Sequence, residues 1–146
     1  MYKIQSISLL YDNNFENRIK NIKDIEPNIK IYTNHDNNLD IEYFDTNDKF
    51  SLIEYCIKNN KNTLFLDRGY VLKNKLLPFE TQKDLGLLKI NNNLISSCIF
   101  CENIKCIPYL KDNNLNKINF LFNFIVISNK FIHKNSNISL FIHYKN

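Results

Sequence analysis

This chain of 146 residues contains 2 Gly and 3 Pro, and it has no Trp or Ala at all. So few glycines and prolines exclude a collagen-like repeat, a flexible linker and a glycine-rich phosphate-binding loop. The G-x-S-x-G motif of an α/β-hydrolase is also missing. The longest apolar stretch, Phe120 to Ile127, is interrupted by Asn123 and is too short to cross a bilayer. We therefore expect no membrane span.

A strong charge of either sign is missing as well. The net charge is +4, from 19 Lys and Arg against 15 Asp and Glu, with no run of five or more like charges. A nucleic-acid-binding protein more often carries a basic stripe, so nucleic acid is an unfavoured partner. Asn, Ile and Lys are abundant in the manner of an AT-rich genome, and we interpret Asn-rich segments as loops. The N-terminus lacks the apolar core of a signal peptide, which predicts a cytoplasmic protein.

What the chain does have is apolar material for a core. Its hydrophobic fraction is 44%, with 11 Phe and 8 Tyr, which predicts a single folded domain. Of its 4 cysteines, Cys98, Cys101 and Cys106 form a C-x2-C-x4-C pattern that is similar to part of a zinc site. A histidine at usable spacing is missing, and the flanking residues are apolar. We therefore favour structural thiols, including Cys56, over the alternative of a metal site.

The hydrophobic periodicity predicts strands and helices in α/β order. The predicted strands are Tyr2–Tyr11, Ile29–Tyr32, Leu39–Phe44, Leu64–Leu66, Asp84–Ile90 and Leu94–Phe100, and the predicted helices are Phe15–Ile25 and Lys49–Lys58. Helices are also predicted over Ile104–Leu110 and Leu115–Ile127, although the second is rich in β-formers; Phe131–His133 and Ile138–His143 resemble closing strands. This order predicts an α/β fold with a mainly parallel half over about residues 1–72 and a mixed half over about residues 73–146.

One predicted strand, Leu64–Leu66, ends on a carboxylate. Asp67 follows it at once, and then come Arg68 and Gly69. Open α/β sheets bind their ligands at the carboxyl ends of strands, so Asp67 is a candidate site residue. The alternative, which the residues leave open, is that Asp67 caps a turn with Arg68 as its neighbouring counter-charge.

Residues 64–79 contain this strand, Asp67, the Val71-Leu72 pair and a basic Leu-rich turn. This segment resembles the Asp-x-Asp region of GT-A-type glycosyltransferases. Residues 84–88 and 93–101 lie at places that correspond to later motifs of that family. The resemblance covers about residues 2–103. It implies a GT-A-like mixed sheet and a nucleotide-sugar donor as the partner.

The resemblance also implies a divalent cation, Mn²⁺ or Mg²⁺, that bridges the donor's diphosphate. Gly69 stands where the family has its second Asp, so the motif is degenerate. Asp67 would bind the cation with His143 as an extra ligand, and Lys145 would face phosphate. Alternatively, Arg68 would replace the metal as a fixed positive charge. His143 also has a plainer interpretation as a structural histidine on an apolar strand.

Other site residues follow from the same resemblance. Tyr11 and Asp12 end the first strand, where the family contacts the base and ribose, although a strand-ending turn explains them equally well. Asn93 and Ser96 fall near the family's sugar contacts. His35 lies in an Asn-rich loop, where we expect it to be exposed.

Three hypotheses follow. The first is a minimal or degenerate glycosyltransferase-like protein that binds a nucleotide-sugar near Asp67, with Asp67 and Arg68 as its catalytic residues if it is active. The second is a non-catalytic binding protein on the same scaffold, with a protein partner or a homodimer formed through the apolar residues Phe120 to Ile127 and Ile138 to Ile142. The third is a nucleic-acid-binding module. Because Gly69 replaces the second Asp, the sequence leaves catalysis open.

Overall fold

The computed structural model of the chain describes residues 4–36, 39, 41–59, 61–76, 84–90, 93–112, 118, 121–122 and 124–127. The strands in this part of the chain are β1 (Ser6–Leu9), β2 (Lys30–Thr33), β3 (Glu42–Tyr43), β4 (Thr63–Leu66), β5 (Leu85–Ile90), β6 (Asn93–Cys101) and β7 (Phe124–Ile127). The helices are α1 (Phe15–Ile25), α2 (Lys49–Lys58), a 3₁₀ turn (Ile104–Cys106) and α3 (Ile107–Lys111). No helix among these residues is long and apolar enough to cross a membrane.

The strands form a single mixed sheet in the order β3-β2-β1-β4-β6-β5-β7. The strands β3, β2, β1 and β4 are mutually parallel. The strand β6 runs antiparallel to both β4 and β5, and β7 is parallel to β5. The predicted α/β class, with a parallel first half and a mixed second half, is confirmed.

The helices α1 and α2 cover opposite faces of the sheet. The apolar side of α1, with Phe15, Ile19 and Ile22, packs in one cluster with Leu64 and Leu66. The α2 residue Ile53 belongs to a second cluster, which contains Phe65 from the other face of β4. Because successive side chains of a strand point to opposite faces, β4 is buried on both sides.

Both helices have the bounds that the sequence predicts, because their signals are local. Asp48 caps α2 by accepting a hydrogen bond from the Phe50 N–H at 3.2 Å. The helix α1 ends at Ile25, two residues before Pro27. The apolar spacing between these signals then fixes which side of each helix is buried.

Three differences from the predicted elements concern strands. The strands β1 and β3 are shorter than predicted, because the ends of the predicted ranges lie outside the registers in which these strands pair. The helix predicted over Leu115–Ile127 is wrong at its end, because Phe124–Ile127 forms β7. Pairing with β5 and a sequence of aromatic and β-branched residues favour the strand there. The predicted strands Phe131–His133 and Ile138–His143 lie outside the described residues.

All four cysteines, Cys56, Cys98, Cys101 and Cys106, lie in the interior as free thiols. Burial raises the pKa of Cys56 to about 12, and it raises the pKa of Cys98 well above its ordinary value. Within the described ranges, no group of three His, Cys, Asp or Glu side chains is placed to hold a metal ion. The cysteines therefore act as small core residues.

The strand order determines where a ligand can bind. After β1, the chain adds β2 and β3 on one side, and it then returns to place β4 on the other side of β1. The carboxyl ends of β1 and β4 thus flank a topological switch point, which is the usual ligand site of open α/β sheets. The predicted site residues Tyr11, Asp12, Asp67 and Arg68 follow these two strands.

Candidate functional site at the carboxyl edge of the sheet

A buried arginine, Arg18 of α1, fills the crevice between the ends of β1 and β4. Its side chain is fully buried, because position 18 lies on the apolar side of the helix between Phe15 and Ile22. Its guanidinium donates hydrogen bonds to four backbone carbonyl oxygens: Leu10 (2.8 Å), Leu66 (3.2 Å), Asp67 (2.7 Å) and Tyr70 (2.9 Å). One side chain therefore fixes the positions of both strand ends.

Asp12 joins the loop after β1 to the turn after β4. Its Oδ2 atom accepts hydrogen bonds from Arg18 at 3.2 Å and from the Gly69 N–H at 2.8 Å. Its Oδ1 atom accepts one from the Asn14 N–H at 3.0 Å. The side chain stays 15% exposed, so the carboxylate also faces the surface. Asp12 therefore has the role of a strand-ending turn residue. It also lies at the carboxyl edge of the sheet, where the sequence predicts a site.

Gly69 forms the turn that follows Asp67 and Arg68. Its backbone has a φ of 86°, in the left-handed region, and the residue is buried. A side chain at this position would cost free energy, since only glycine adopts that conformation without a steric penalty. Gly69 thus forms a tight turn that is bonded to Asp12.

The Gly69→Ala variant is expected to lower the free energy of unfolding by about 1–2 kcal/mol, which is the cost of the left-handed conformation for a residue with a Cβ. Urea denaturation followed by circular dichroism measures this loss. Lys75→Ala, at an exposed position shortly after the turn, serves as the control and should change stability by less than about 0.5 kcal/mol. Equal stability of the two variants would contradict the assigned backbone role of Gly69.

Asp67 and Arg68 lie in this turn, and each has a structural contact. The Asp67 Oδ1 atom accepts a hydrogen bond from the Arg68 N–H at 2.7 Å, and its carbonyl accepts one from the Tyr70 N–H at 3.2 Å. The Arg68 Nε atom donates to the Tyr11 carbonyl at 3.2 Å. The exposed Arg68 guanidinium thus spans the two loops, beside the half-buried Asp67 carboxylate.

A cavity of about 360 Å³ opens next to Arg68, at the ends of β1 and β2. It is lined by residues 11–17, His35, Asp36 and Leu39. The Tyr11 ring is 39% exposed and lies 4.0 Å from the His35 ring, with an interplanar angle of 33°. A hydrogen bond of 2.8 Å from the Tyr11 N–H to the Asn34 side chain holds this loop in place. Tyr11 and His35 therefore form an aromatic wall of the cavity, and most of its other lining residues are polar.

Lys49, the first residue of α2, lies close enough to Asp67 to interact with it electrostatically. The Lys49 Nζ atom donates hydrogen bonds to both the carbonyl and the hydroxyl oxygen of Ser96, each at 2.9 Å. The same ammonium lies 5.8 Å from the centre of the Phe65 ring. Burial lowers the pKa of Lys49, while the carboxylates of Asp67 and Asp48 oppose that shift. Lys49 thus adds positive charge near Asp67, which Arg68 follows in the chain.

The structure brings some of the predicted site residues together and leaves others apart. Tyr11, Asp12, Asp67 and Arg68 meet at one edge, with Ser96 attached to Lys49 nearby. Asn93 pairs with Ile90 in the β5–β6 hairpin. His143 and Lys145 lie outside the described residues, so their roles stay predictions.

Three residues of this edge were missed or undervalued by sequence reasoning. Arg18 had a signal, since a charged residue on the apolar side of an amphipathic helix needs buried partners. His35 is exposed as expected, yet it forms part of the cavity wall. Lys49 had no local signal, because its partner Ser96 is 47 residues away.

The mixed α/β sheet with this switch point is consistent with a GT-A-like fold. Among solved structures, the apo-form glycosyltransferase GlyE of Streptococcus pneumoniae TIGR4 is similar, with a TM-score of 0.50 and 13% sequence identity. The match covers 81% of this chain and 39% of that one, so this chain spans well under half of its length. No protein-family model matches the sequence. The curated proteins contain no match either.

Proposed function

We propose that this protein binds a nucleotide-sugar at the carboxyl edge of β1 and β4. The base would lie against Tyr11 and His35, the ribose would approach Asp12, and the diphosphate would lie beside Arg68. The observation that carries the proposal is the cavity with its aromatic wall at the sheet edge of a glycosyltransferase-like fold. Its volume of about 360 Å³ falls in the range of small-molecule sites.

The contacts of the described residues support this arrangement. An exposed aromatic ring gives a base a flat surface to stack on, and each stacked base contributes about 1–3 kcal/mol. Carboxylate oxygens accept hydrogen bonds from ribose hydroxyls, and Asp12 retains exposed surface beside the ring. Arg68 supplies the positive charge that a diphosphate requires, and its contact with the Tyr11 carbonyl brings it to the cavity.

The described residues do not fit a divalent cation. Asp67 is half-buried and accepts a hydrogen bond from its neighbour Arg68, and the turn at Gly69 has no second carboxylate. Magnesium and manganese sites need several oxygen ligands. A site made by Asp67 and His143 stays a prediction, because His143 lies outside the described residues. Donor binding, on a transferase-like scaffold, is the function that these side chains support.

Isothermal titration calorimetry of the wild-type chain tests the proposal. Nucleoside diphosphates with each of the common bases, and their sugar conjugates, should be titrated in buffer that contains EDTA. We expect saturable binding of at least one diphosphate and its conjugate, with a matching increase in melting temperature. A ligand at a hundred times its Kd stabilises a protein by about 2.7 kcal/mol. Absence of heat and of any thermal shift across the whole panel, both in EDTA and when the panel is repeated with Mn²⁺ in place of EDTA, would overturn the proposed function.

A further inference from the structure

We propose that Lys49 and Arg68 together form a diphosphate-binding site that works without a divalent cation. This inference rests on the proposed function and assigns the charge that would hold the phosphates. The geometry points to it because the two cations are bonded to the neighbours of β4 on either side. Arg68 follows Asp67 and contacts the loop after β1, and Lys49 is bonded to Ser96 of β6. A metal-dependent site at this end of β4 would need further anionic ligands.

The position of Lys49 is fixed from several sides. Its Nζ atom is held by two hydrogen bonds to Ser96, and the next residue along β6, Ser97, accepts a hydrogen bond from the Asp67 N–H at 2.9 Å. Lys49 and Asp67 are therefore attached to adjacent residues of one strand. Because Lys49 follows the N-cap residue of α2, its backbone is fixed as well.

Within the part of the chain that the structure describes, both cations have N–H donors left for phosphate oxygens. An ammonium group has three donors, and within the described residues Ser96 accepts two hydrogen bonds from Lys49. A guanidinium group has five, and Arg68 uses Nε for the Tyr11 carbonyl while its side chain stays exposed. A diphosphate between them would receive charge-assisted hydrogen bonds.

The charges at this edge oppose a divalent cation. Lys49 interacts electrostatically with Asp67, so it adds positive charge near the carboxylate that a metal ion would use. A metal ion beside Asp67 would be repelled by Lys49 and Arg68, whereas a phosphate would be attracted by both. Partial burial of the Lys49 side chain strengthens this preference, because buried charges are less screened by salt.

Pyrophosphate in EDTA is the probe that tests the anion site, and calorimetry measures its affinity for three proteins. The wild-type chain should bind it, and Lys49→Met should weaken binding by about tenfold or more, as expected for the loss of a partly desolvated charge. Lys58→Met, an exposed lysine at the end of the same helix, should bind like wild type. Lys49→Arg keeps the charge and should retain most of the affinity. Equal affinity of Lys49→Met and wild type would overturn the inference.

A second measurement tests independence from metal. Mn²⁺ alone is added to the wild-type chain, and electron paramagnetic resonance reports the signal of the free ion. We expect this signal to be undiminished. Stoichiometric loss of the signal that Asp67→Asn restores would show a metal site and would contradict the inference.

The outcomes separate this inference from the proposed function. Nucleoside diphosphate binding that Lys49→Met leaves unchanged would overturn the anion site and support the base site. Pyrophosphate binding that depends on Lys49, with no higher affinity for any nucleoside diphosphate than for pyrophosphate, would support the anion site and overturn the proposed function. Nucleoside diphosphate binding that requires Mn²⁺ would overturn the anion site alone. Absence of binding by every probe, in EDTA and in Mn²⁺, would overturn both.

Discussion

Replacement of Arg18 by methionine is expected to lower the free energy of unfolding by about 3–5 kcal/mol, the usual cost of breaking a buried charged network. Methionine keeps most of the side-chain length but leaves four backbone carbonyl oxygens, three of them in buried contacts, and the Asp12 carboxylate without the guanidinium. Each unsatisfied buried acceptor costs free energy. Since domains are stable by only about 5–15 kcal/mol, urea denaturation should show a large shift of the midpoint.

The matched control is Lys20→Met, two residues along α1. Lys20 is exposed, so this variant should change stability by less than about 0.5 kcal/mol. Arg18→Lys should give an intermediate loss, because an ammonium cannot reproduce the planar fork that contacts both strand ends. A loss for Arg18→Met as small as that of the control would show that the guanidinium does not fix the sheet edge.

Replacement of Tyr11 by alanine is expected to weaken nucleoside diphosphate binding by about five- to a hundredfold, which corresponds to the loss of one base-stacking contact. The ring is exposed and contacts His35, so its removal should have little effect on the core. Calorimetry with the best ligand of the panel measures the change. Tyr11→Phe should bind like wild type, because the ring rather than the hydroxyl makes the contact.

Tyr43→Ala is the control for Tyr11→Ala. The two tyrosines have similar exposure, 44% for Tyr43 and 39% for Tyr11, but Tyr43 lies on the edge strand β3 and outside the cavity lining. Its replacement should leave binding unchanged. Equal losses of affinity in both variants, or no loss in either, would show that the base does not bind against the Tyr11 ring.

Local signals in the sequence were enough to predict most of the fold. The N-cap at Asp48 and the apolar spacing of α1 define both long helices without knowledge of the sheet. The strand β7 was different, since the residues it pairs with in β5, such as Leu85 for Phe124, are distant in the sequence. Its conformation depends on that tertiary pairing, which a local pattern does not contain.

The candidate site shows the same division. Asp67 and Gly69 could be located from sequence because an apolar strand precedes them and a turn must follow. The partners of Arg18 and Lys49 could not, because the Tyr70 carbonyl and Ser96 are 52 and 47 residues away. The glycine after Arg68 is visible in the sequence, but its left-handed backbone and its hydrogen bond to Asp12 needed the structure.

The most direct test of nucleotide binding at this edge is an NMR titration of the ¹⁵N-labelled chain with a nucleoside diphosphate in EDTA. We predict saturable amide shifts in residues 11–17, in His35 and Asp36, and in residues 67–69. Amide shifts that saturate only in α3 or in the β5–β6 hairpin, with the carboxyl edge of β1 and β4 unchanged, would contradict the proposed site.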